Sequence, residues 1–226
     1  MSVMIGCPVR NRAWILPEYL RCLEEINYPR DRIRYCFIIN DCIDDTLSIL
    51  ENFSRRQPGA VKLLVNNSGI PGYERGEYSF QRLAYLRNLL LNEFLCSDSD
   101  YLFSIDSDVL VSPNILMQLI NDECDIVACL VCNGQQVGDT SLYNVLIKDH
   151  RGRYLHLKEI PRDRVFRVDC TGAAYLIKRK VISQHGIRYS DLYGAEDIGF
   201  CENAAREGLE IYCDGRLECR HIMRRG

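Results

Sequence analysis

The order of strand and helix signals along the first two thirds of the chain most constrains what it can fold into. Short apolar runs typical of buried strands alternate with amphipathic segments long enough to form helices. Because a helix-length segment separates each pair of strands, the strands are expected to lie parallel, with helices on the faces of the sheet. The pattern predicts an α/β fold with a mainly parallel central sheet, built from strands at residues 3–5, 35–39, 61–65, 101–105 and 125–131.

Helix starts and a change of pattern complete the expected organisation. Pro17 suits the first turn of the first helix, Asp44 or Asp45 can cap the second, and Ser79 can cap the third. A fourth helix is expected to start at residues 112–113. Beyond residue 133 the pattern predicts a hairpin of strands 141–147 and 154–157, a strand at 173–178, a helix from about Glu196 and a last strand at 209–213. We expect one unit with two halves, residues 1–132 and 133–226.

Composition limits the classes of partner. The chain has 226 residues, of which 47% are hydrophobic and 26% charged, as in ordinary soluble globular proteins. A net charge of −3 gives no general attraction to nucleic acid or to an anionic membrane. The apolar stretches are too short for a transmembrane helix, and the first residues lack the basic region of a signal peptide. No nucleic-acid partner and a cytoplasmic location are therefore predicted.

The 12 cysteines are predicted to be reduced core residues, because many lie in strand-like or helix-like apolar patterns and no secretion signal is present. Cys129 and Cys132 have the spacing of a zinc or redox motif. They lie in a strand pattern, however, where their side chains point to opposite faces, and no second Cys/His pair accompanies them. The interpretation as reduced core cysteines is favoured over a metal or redox site.

An acidic triplet, Asp106-Ser107-Asp108, follows an apolar strand directly. Open α/β sheets bind ligands at the carboxyl ends of their strands. Two carboxylates at such an edge favour a divalent cation with oxygen ligands, which also bridges well to a diphosphate. The alternative is a solvated turn before the next helix.

Three further acidic or imidazole side chains are candidates for the same chemistry. His221, near the chain end, can complete a divalent metal site with a carboxylate and phosphate oxygens, or can be an ordinary surface histidine. Glu196 and Asp197 lie at a predicted helix start, where acidic residues also complement the helix dipole. The functional alternative is that one of the two carboxylates removes a proton from a hydroxyl group.

Basic residues can hold an anionic ligand locally. Arg10, Arg82 and Arg87 are candidates for a diphosphate, because arginine donates paired hydrogen bonds to phosphate oxygens. The alternative for them is a solvated helix face. Asp41 follows the second strand and can accept from the ring N–H of a uracil, or can shape a turn.

Taken together, these segments resemble the GT-A-fold glycosyltransferases, and most closely the family-2 enzymes and the collagen-galactosyltransferase-like domains. The resemblance rests on the order of loose motifs over nearly the whole chain, and residues 16–29 resemble the latter domains in particular. The motifs are Cys7-Pro-Val-Arg-Asn11, Asn40-Asp-Cys-Ile-Asp-Asp-Thr46, Leu86-Arg-Asn88, Phe103-Ser-Ile-Asp-Ser-Asp108, Thr171-Gly-Ala-Ala174 and Gly194-Ala-Glu-Asp197.

The resemblance implies a role for each candidate. It implies a nucleotide-sugar-binding half at 1–132 and an acceptor-binding, metal-completing half at 133–226. Asp197 would be the general base and Glu196 would bind the acceptor. Asp108, His221 and Asp106 would form the metal site, with Mn²⁺ favoured over Mg²⁺. The implied donor-binding residues are Pro8, Val9, Arg10, Asn11, Asp41, Arg82, Arg87, Asp106 and Ser107.

The activity so implied is transfer of a hexose from a nucleoside-diphosphate sugar, UDP-hexose by default, to an acceptor hydroxyl with inversion. The acceptor class stays open between a glycan, a peptide and a small molecule. Three alternatives are a retaining transferase, a nucleotide-sugar-binding protein without turnover, and a sugar nucleotidyltransferase. The last would be expected to carry a glycine-rich, lysine-bearing loop after the first strand, where this chain has Pro8-Val-Arg-Asn-Arg12.

Overall fold

The computed structural model describes residues 1–69, 77–133 and 142–222. Within these ranges a short 3₁₀ turn at Arg30–Arg32 precedes the second strand. The elements are β1 (Val3–Val9), α1 (Leu16–Glu24), β2 (Ile33–Ile39), α2 (Thr46–Arg56), β3 (Val61–Val65), α3 (Glu77–Cys96), β4 (Tyr101–Ile105), β5 (Val109–Leu110), α4 (Ile115–Asn121), β6 (Ile126–Val131), β7 (Leu146–Lys148), β8 (Tyr154–His156), β9 (Val165–Val168), β10 (Ala174–Lys178), α5 (Arg179–Ser183), α6 (Glu196–Arg206) and β11 (Ile211–His221).

One large sheet carries the site. Its strand order is β3-β2-β1-β4-β10-β6-β11-β5, with β9 paired to β11. Strands β3, β2, β1 and β4 are mutually parallel, and β11 runs parallel to β6. Strand β10 is antiparallel to both of its neighbours, β4 and β6. The predicted α/β fold with a mainly parallel sheet is confirmed, and residues after 132 contribute β9, β10 and β11 to the same sheet.

Alternating side chains divide the core between the two faces of this sheet. In β1, Val3 and Ile5 belong to the apolar cluster that includes residues of α1, α2 and α4, whereas Met4 belongs to the cluster that includes α3 and α6. Helix α1 buries Leu16, Leu20 and Leu23 along one face, with Pro17 in its first turn. Burial on both faces explains why the central strands read as continuous apolar runs.

Several predicted boundaries need correction. Ser79 does not cap α3, because the helix begins two residues earlier, at Glu77. The last strand does not end near residue 213 but continues to His221 through an irregularity between Asp214 and Glu218. Strands β5 and β9 were not predicted, because two and four residues give too short a pattern to recognise. The hairpin is β7 and β8; residue 141, where its first strand was expected to begin, lies outside the described ranges.

The loops and helix ends set the context of the site. Asp45 occupies the N-cap position of α2, but its side chain makes no capping hydrogen bond. The preceding Asp44 carboxylate accepts a hydrogen bond from the Thr46 N–H at 3.1 Å and so stabilises the start of the helix from outside the cap position. None of the helices in the described ranges is both long enough and apolar enough to cross a membrane. Each of the 12 cysteines is a free thiol.

Candidate active site

A cleft opens at the carboxyl ends of β1, β2 and β4. Because these strands are parallel and adjacent, their last residues and the loops after them meet at one edge of the sheet. The cleft has a volume of about 230 Å³. Its lining combines apolar side chains with cationic and amide groups, from Pro8, Val9, Arg10, Arg12, Asn40, Leu83, Leu86 and Ser107.

Asp108 and His221 face each other beside this cleft. Strand β11 pairs antiparallel with β5, which places His221 opposite Val109, the residue after Asp108. The His221 Nε2 atom lies 3.7 Å from Asp108 Oδ1, and the Ile222 N–H donates to the Asp108 carbonyl oxygen at 2.8 Å. Strand pairing therefore brings together two side chains that are 113 positions apart in the sequence.

The donor atoms of this pair suit a divalent cation. His221 Nδ1 lies 3.0 Å from the Cys132 carbonyl oxygen, so Nδ1 carries a proton. Nε2 faces Asp108, donates to it when the imidazole is protonated, and would offer its lone pair to a cation once the Nε2 proton is lost. The hydrogen bond with Asp108 raises the pKa of His221 against the effect of burial. Burial opposes ionisation of Asp108, but His221 and Arg12 together hold its pKa below the ordinary value. No cluster of three metal-ligating side chains occurs in the described ranges, so the pair would need ligand oxygens to complete a coordination shell.

Arg12 also contacts Asp108 and was not among the predicted donor-binding residues. Its Nη2 atom lies 3.1 Å from Asp108 Oδ2. The loop after β1 holds Arg12 at this edge, because the Arg12 N–H donates to Thr46 Oγ1 at 2.7 Å. The only signal in the sequence was its position shortly after a strand that ends at the ligand edge.

Arg87 lies among Asp106, Glu196 and Asp197, which together form the acidic cluster of the site. Its side chain is only 4% exposed. It donates from Nη2 to Asp106 Oδ1 at 2.8 Å, from Nε to Glu196 Oε1 at 3.1 Å and from Nη1 to Ser104 Oγ at 3.2 Å. Sequence reasoning assigned Arg87 to the diphosphate, whereas here its guanidinium binds protein carboxylates. Helix α3 thereby links the end of β4 to the start of α6.

Asp197 lies at the centre of the acidic cluster. Its Oδ1 atom lies 3.9 Å from Arg87 Nε and accepts a hydrogen bond from the Tyr175 hydroxyl at 3.3 Å. Burial raises the pKa of Asp197 to about 8; Arg87 opposes the rise, and the charges of Glu196 and Asp106 add to it. A carboxyl group with this pKa is present in both forms near neutral pH, as a proton-transfer group requires.

The turn before β10 makes room for Asp197. A Cβ added to Gly172 would lie 2.2 Å from Asp197 Oδ2, so a side chain at residue 172 is excluded by the carboxylate. The next residue, Ala173, has a left-handed backbone with φ of 66°, and its carbonyl oxygen accepts from the Asp106 N–H at 2.8 Å. The same turn therefore contacts both Asp106 and Asp197.

Other predicted donor-binding residues shape the loops around the cleft. The Asp41 carboxylate accepts hydrogen bonds from the N–H groups of Ser68 and Gly69 and from the Ser68 hydroxyl, which corresponds to the turn-shaping alternative. Asn11 Oδ1 accepts from the Ile43 N–H at 2.9 Å. Arg82 donates to the Asn66 carbonyl oxygen at 2.6 Å rather than pointing along a solvated helix face.

The structure thus brings most of the predicted residues to one edge of the sheet. Pro8, Val9, Arg10 and Ser107 line the cleft, Asp106 lies beside it, and Asp108 and His221 form a pair. Glu196 and Asp197 meet Asp106 through Arg87. The sequence did not indicate a role for Arg12 or Tyr175, which have no chemical signal of their own. Ser104 and Gly172 lie within motifs quoted for the resemblance, but no role had been assigned to them.

Several solved glycosyltransferases of the GT-A class share this fold. GalNAc-T7 with UDP, GalNAc and Mn²⁺ matches with a TM-score of 0.72 and 16% identity over 99% of this chain and 44% of that chain. TarS of S. aureus in complex with UDP-GlcNAc matches with a TM-score of 0.63 and 15% identity over 100% of this chain and 59% of that one. The mannosyltransferase PcManGT from Pyrobaculum calidifontis, in complex with GDP-Man and Mn²⁺, matches with a TM-score of 0.63 and 16% identity over 100% of this chain and 58% of that chain. The chain has a GT-A fold.

The sequence adds the family. The profile described as glycosyltransferase family 25, N-terminal domain, matches residues 1–184, and the chain belongs to this family. A glycosyltransferase 25 family member of Drosophila melanogaster is 30% identical over 139 residues, 56% of this chain and 22% of the relative. Procollagen-lysine,2-oxoglutarate 5-dioxygenase 1 of Gallus gallus is 22% identical over 235 residues, 98% of this chain and 30% of the relative. The chain spans between 19% and 47% of the length of such curated relatives.

Proposed function

We propose that this chain is the catalytic domain of a metal-dependent glycosyltransferase that moves a hexose from UDP-hexose to an acceptor hydroxyl with inversion. One observation carries the proposal: the Arg87 guanidinium binds Asp106, at the end of β4, and Glu196, at the start of α6. A donor-binding edge and a pair of acidic residues suited to an acceptor therefore belong to one site. Membership of family 25 and the GT-A fold support the same class of reaction.

The donor would lie in the cleft at the ends of β1, β2 and β4. Its apolar walls suit a nucleoside, and Arg10 suits the diphosphate. Asp106 would contact the ribose or the sugar. Asp108 and His221 would hold the cation, Mn²⁺ in preference to Mg²⁺, because an imidazole nitrogen is one of the two ligands. A bound divalent cation would supply charge neutralisation for the departing diphosphate. Two of the solved neighbours contain Mn²⁺ together with a nucleotide or nucleotide sugar.

Asp197 is the proposed general base. As the acceptor oxygen bonds to the anomeric carbon, the bond from that carbon to the diphosphate oxygen breaks and Asp197 receives the hydroxyl proton. Its raised pKa, about 8, makes the carboxylate a stronger proton acceptor than an ordinary aspartate. Direct attack by the acceptor from the side opposite the diphosphate inverts the configuration of the sugar.

Arg87 is proposed as a positioning residue rather than as a diphosphate ligand. Its three hydrogen bonds go to Asp106, Glu196 and Ser104, and a diphosphate role would require some of them to break. By neutralising part of the acidic cluster, it fixes Asp106 and Glu196 relative to each other. Glu196, which is buried and bound to Arg87, then orients the start of α6 and the acceptor.

The acceptor stays open between a glycan, a peptide side chain and a small molecule, and the cytoplasmic location stays a prediction from the sequence. We likewise propose that residues 1–132 bind the nucleotide sugar and that residues 133–226 bind the acceptor and complete the metal site. Strand β11 supports it in one respect, since the later half supplies His221 to a metal site whose other protein ligand, Asp108, belongs to the earlier half.

A panel of nucleotide sugars tests the proposal. The metal-free protein is titrated with UDP-hexoses, GDP-mannose and UDP, each with and without Mn²⁺, and thermal shift and donor hydrolysis are measured. We expect stabilisation by a UDP-sugar only when Mn²⁺ is present, accompanied by slow donor hydrolysis. Binding of UDP without hydrolysis or transfer to any acceptor would indicate a nucleotide-sugar-binding protein. No response to any nucleotide, with or without metal, would overturn the donor assignment.

A further inference from the structure

Arg12 forms an ion pair with the carboxylate of Asp108, which the proposed function assigns to a cation. Its Nη2 atom lies 3.1 Å from Asp108 Oδ2, while His221 Nε2 lies on the other oxygen, 3.7 Å from Oδ1. The Asp108 side chain is 16% exposed, so solvent neutralises its charge only in part. In this arrangement the positive charge that a cation would bring to Asp108 is supplied by the guanidinium.

The Arg12 backbone is fixed, whereas its side chain has unused hydrogen-bonding capacity. The N–H of Arg12 donates to Thr46 Oγ1 at 2.7 Å, and the N–H of the next residue, Ala13, donates to Asp44 Oδ2 at 3.0 Å. In contrast, Arg12 Nε is buried with no hydrogen-bond partner among the described residues, and Nη1 makes only a long contact of 3.4 Å with the Arg10 carbonyl oxygen. A buried donor without a partner is unfavourable, so an arrangement that gives it an acceptor is preferred.

The acceptor that Arg12 lacks is of the kind that the cleft would contain. The side chain of Arg12 is 35% exposed and lines the cleft together with Arg10 and Ser107. Diphosphate oxygens are well matched to the paired donors of a guanidinium. A rotation about the side-chain bonds moves the guanidinium from Asp108 toward the cleft without moving the anchored backbone.

We propose that Arg12 is a positioning residue that neutralises Asp108 in the ligand-free protein and turns to the donor diphosphate when a divalent cation takes its place. The inference rests on the proposed function, and it deepens that function by adding an exchange of positive charges at one carboxylate. Arg12 opposes binding of the cation alone, because the cation must displace it from Asp108. It favours binding of the nucleotide once the cation is present.

These two effects have opposite signs, and a purely structural role would not produce them. In Arg12→Gln, Mn²⁺ alone is expected to bind about two- to fivefold more tightly, the range of a partly exposed ion pair. UDP at saturating Mn²⁺ is expected to bind about tenfold more weakly, since a charged hydrogen bond to phosphate is lost. Arg12→Lys keeps the charge but not the paired donors, so its values should lie between those of wild type and Arg12→Gln.

The experiment measures Mn²⁺ binding by the electron paramagnetic resonance signal of the free ion, and UDP binding by calorimetry, with the metal-free full chain. Arg55→Gln is the control, because it makes the same change in charge on α2, where Arg55 contacts Asn52. Tighter Mn²⁺ binding together with weaker UDP binding in Arg12→Gln alone supports the exchange. If wild type binds both Mn²⁺ and UDP, the exchange is overturned when the two affinities of Arg12→Gln change in the same direction or do not change. If wild type binds neither Mn²⁺ nor UDP, the proposed function itself fails and the exchange with it.

Discussion

Gly172 lies directly against the carboxylate of Asp197, so that a Cβ at residue 172 would be 2.2 Å from Oδ2 and 2.8 Å from Cγ. The contact explains why a glycine is needed in the turn before β10, where its φ is not in the left-handed region. The adjoining Ala173 binds the Asp106 N–H through its carbonyl oxygen. The position of the proposed base is thus set by a close backbone approach at the turn that also holds the acidic end of β4.

Gly172→Ala is expected to lower kcat about 100-fold, because the added methyl group must push Asp197 away from the attacking hydroxyl by a distance of about 1 Å. The donor KM should change by less than about twofold, since Gly172 does not line the cleft. The measurement is steady-state transfer with a UDP-sugar and Mn²⁺.

Gly59→Ala provides the control for Gly172→Ala. Gly59 has a φ of 76°, with nothing within 4 Å of an added Cβ, so this variant should lose stability from backbone strain without losing kcat. A Gly172→Ala enzyme with wild-type kcat would show that the position of Asp197 does not limit the chemistry.

Asp197→Asn tests the base assignment and its pH dependence. Because the pKa of Asp197 is about 8, the fraction of carboxylate, and with it kcat/KM of wild type, should rise tenfold per pH unit below that value and level off above it. Asp197→Asn should retain less than about 1% of the activity and lose this limb. A folded Asp197→Asn protein with most of its transferase activity would contradict the assignment.

The raised pKa of Asp197 also makes a prediction about stability. Between about pH 4, the ordinary carboxyl range, and about pH 8 the folded state retains a proton that the unfolded state releases, so the free energy of unfolding should fall as pH rises. In Asp197→Asn the amide resembles the protonated carboxyl group and does not titrate, so this variant should not lose free energy of unfolding in the same way. The Tm of Asp197→Asn relative to wild type, measured without metal or nucleotide, should therefore increase from pH 6 to pH 8.5. A constant difference would mean that Asp197 titrates near its ordinary pKa.

The ligand edge could be predicted from the sequence because it depends on local pattern. Strands β1, β2 and β4 are apolar runs separated by helices, and parallel strands so connected must end at the same edge. Asp106, directly after the run at 101–105, was therefore placed at this edge without any knowledge of contacts. The first strand extends to Val9 rather than to residue 5, which is why Arg10 also lies at this edge. The α6 start at Glu196 was predicted for the same reason, since its acidic first turn is a local signal.

The partners of the charged residues could not be predicted, because they depend on packing between distant segments. Arg87 and Glu196 are 109 positions apart, and their contact arises from the way α3 and α6 meet behind β4. The full length of β11 was hidden by its irregularity near Gly215, where a Cβ would lie 1.6 Å from the Pro161 carbonyl oxygen. That tertiary contact joins segments distant in the sequence, so no local pattern indicates it.

His221→Ala is expected to raise the Mn²⁺ concentration for half-maximal activity about tenfold or more, because one of the two proposed protein ligands is lost. Since its hydrogen bond with Asp108 raises the pKa of His221, protons compete with the cation, and wild-type Mn²⁺ affinity should weaken as pH falls through that pKa. The exposed His150→Ala is the control. Equal Mn²⁺ requirements in wild type and His221→Ala would remove His221 from the metal site.

The Arg87–Glu196 pair allows a final prediction about stability. Both side chains are almost fully buried, at 4% and 6% exposure. Removing the Arg87 charge leaves the Glu196 carboxylate without compensation, whereas removing the Glu196 charge leaves Arg87 paired with Asp106. Arg87→Met should lower the free energy of unfolding by about 3 kcal/mol, and Glu196→Gln by less, because Gln can still accept from Arg87 Nε.

In the double variant the loss should be smaller than the sum of the two single losses, by about 1 kcal/mol or more, since no unpaired charge remains at residue 196. Chemical denaturation of the four proteins, without metal or nucleotide, measures the coupling. Arg55→Met with Glu207→Gln is a control cycle on exposed positions and should be additive. An additive result for Arg87 and Glu196 would mean that the guanidinium does not hold the two sides of the site together.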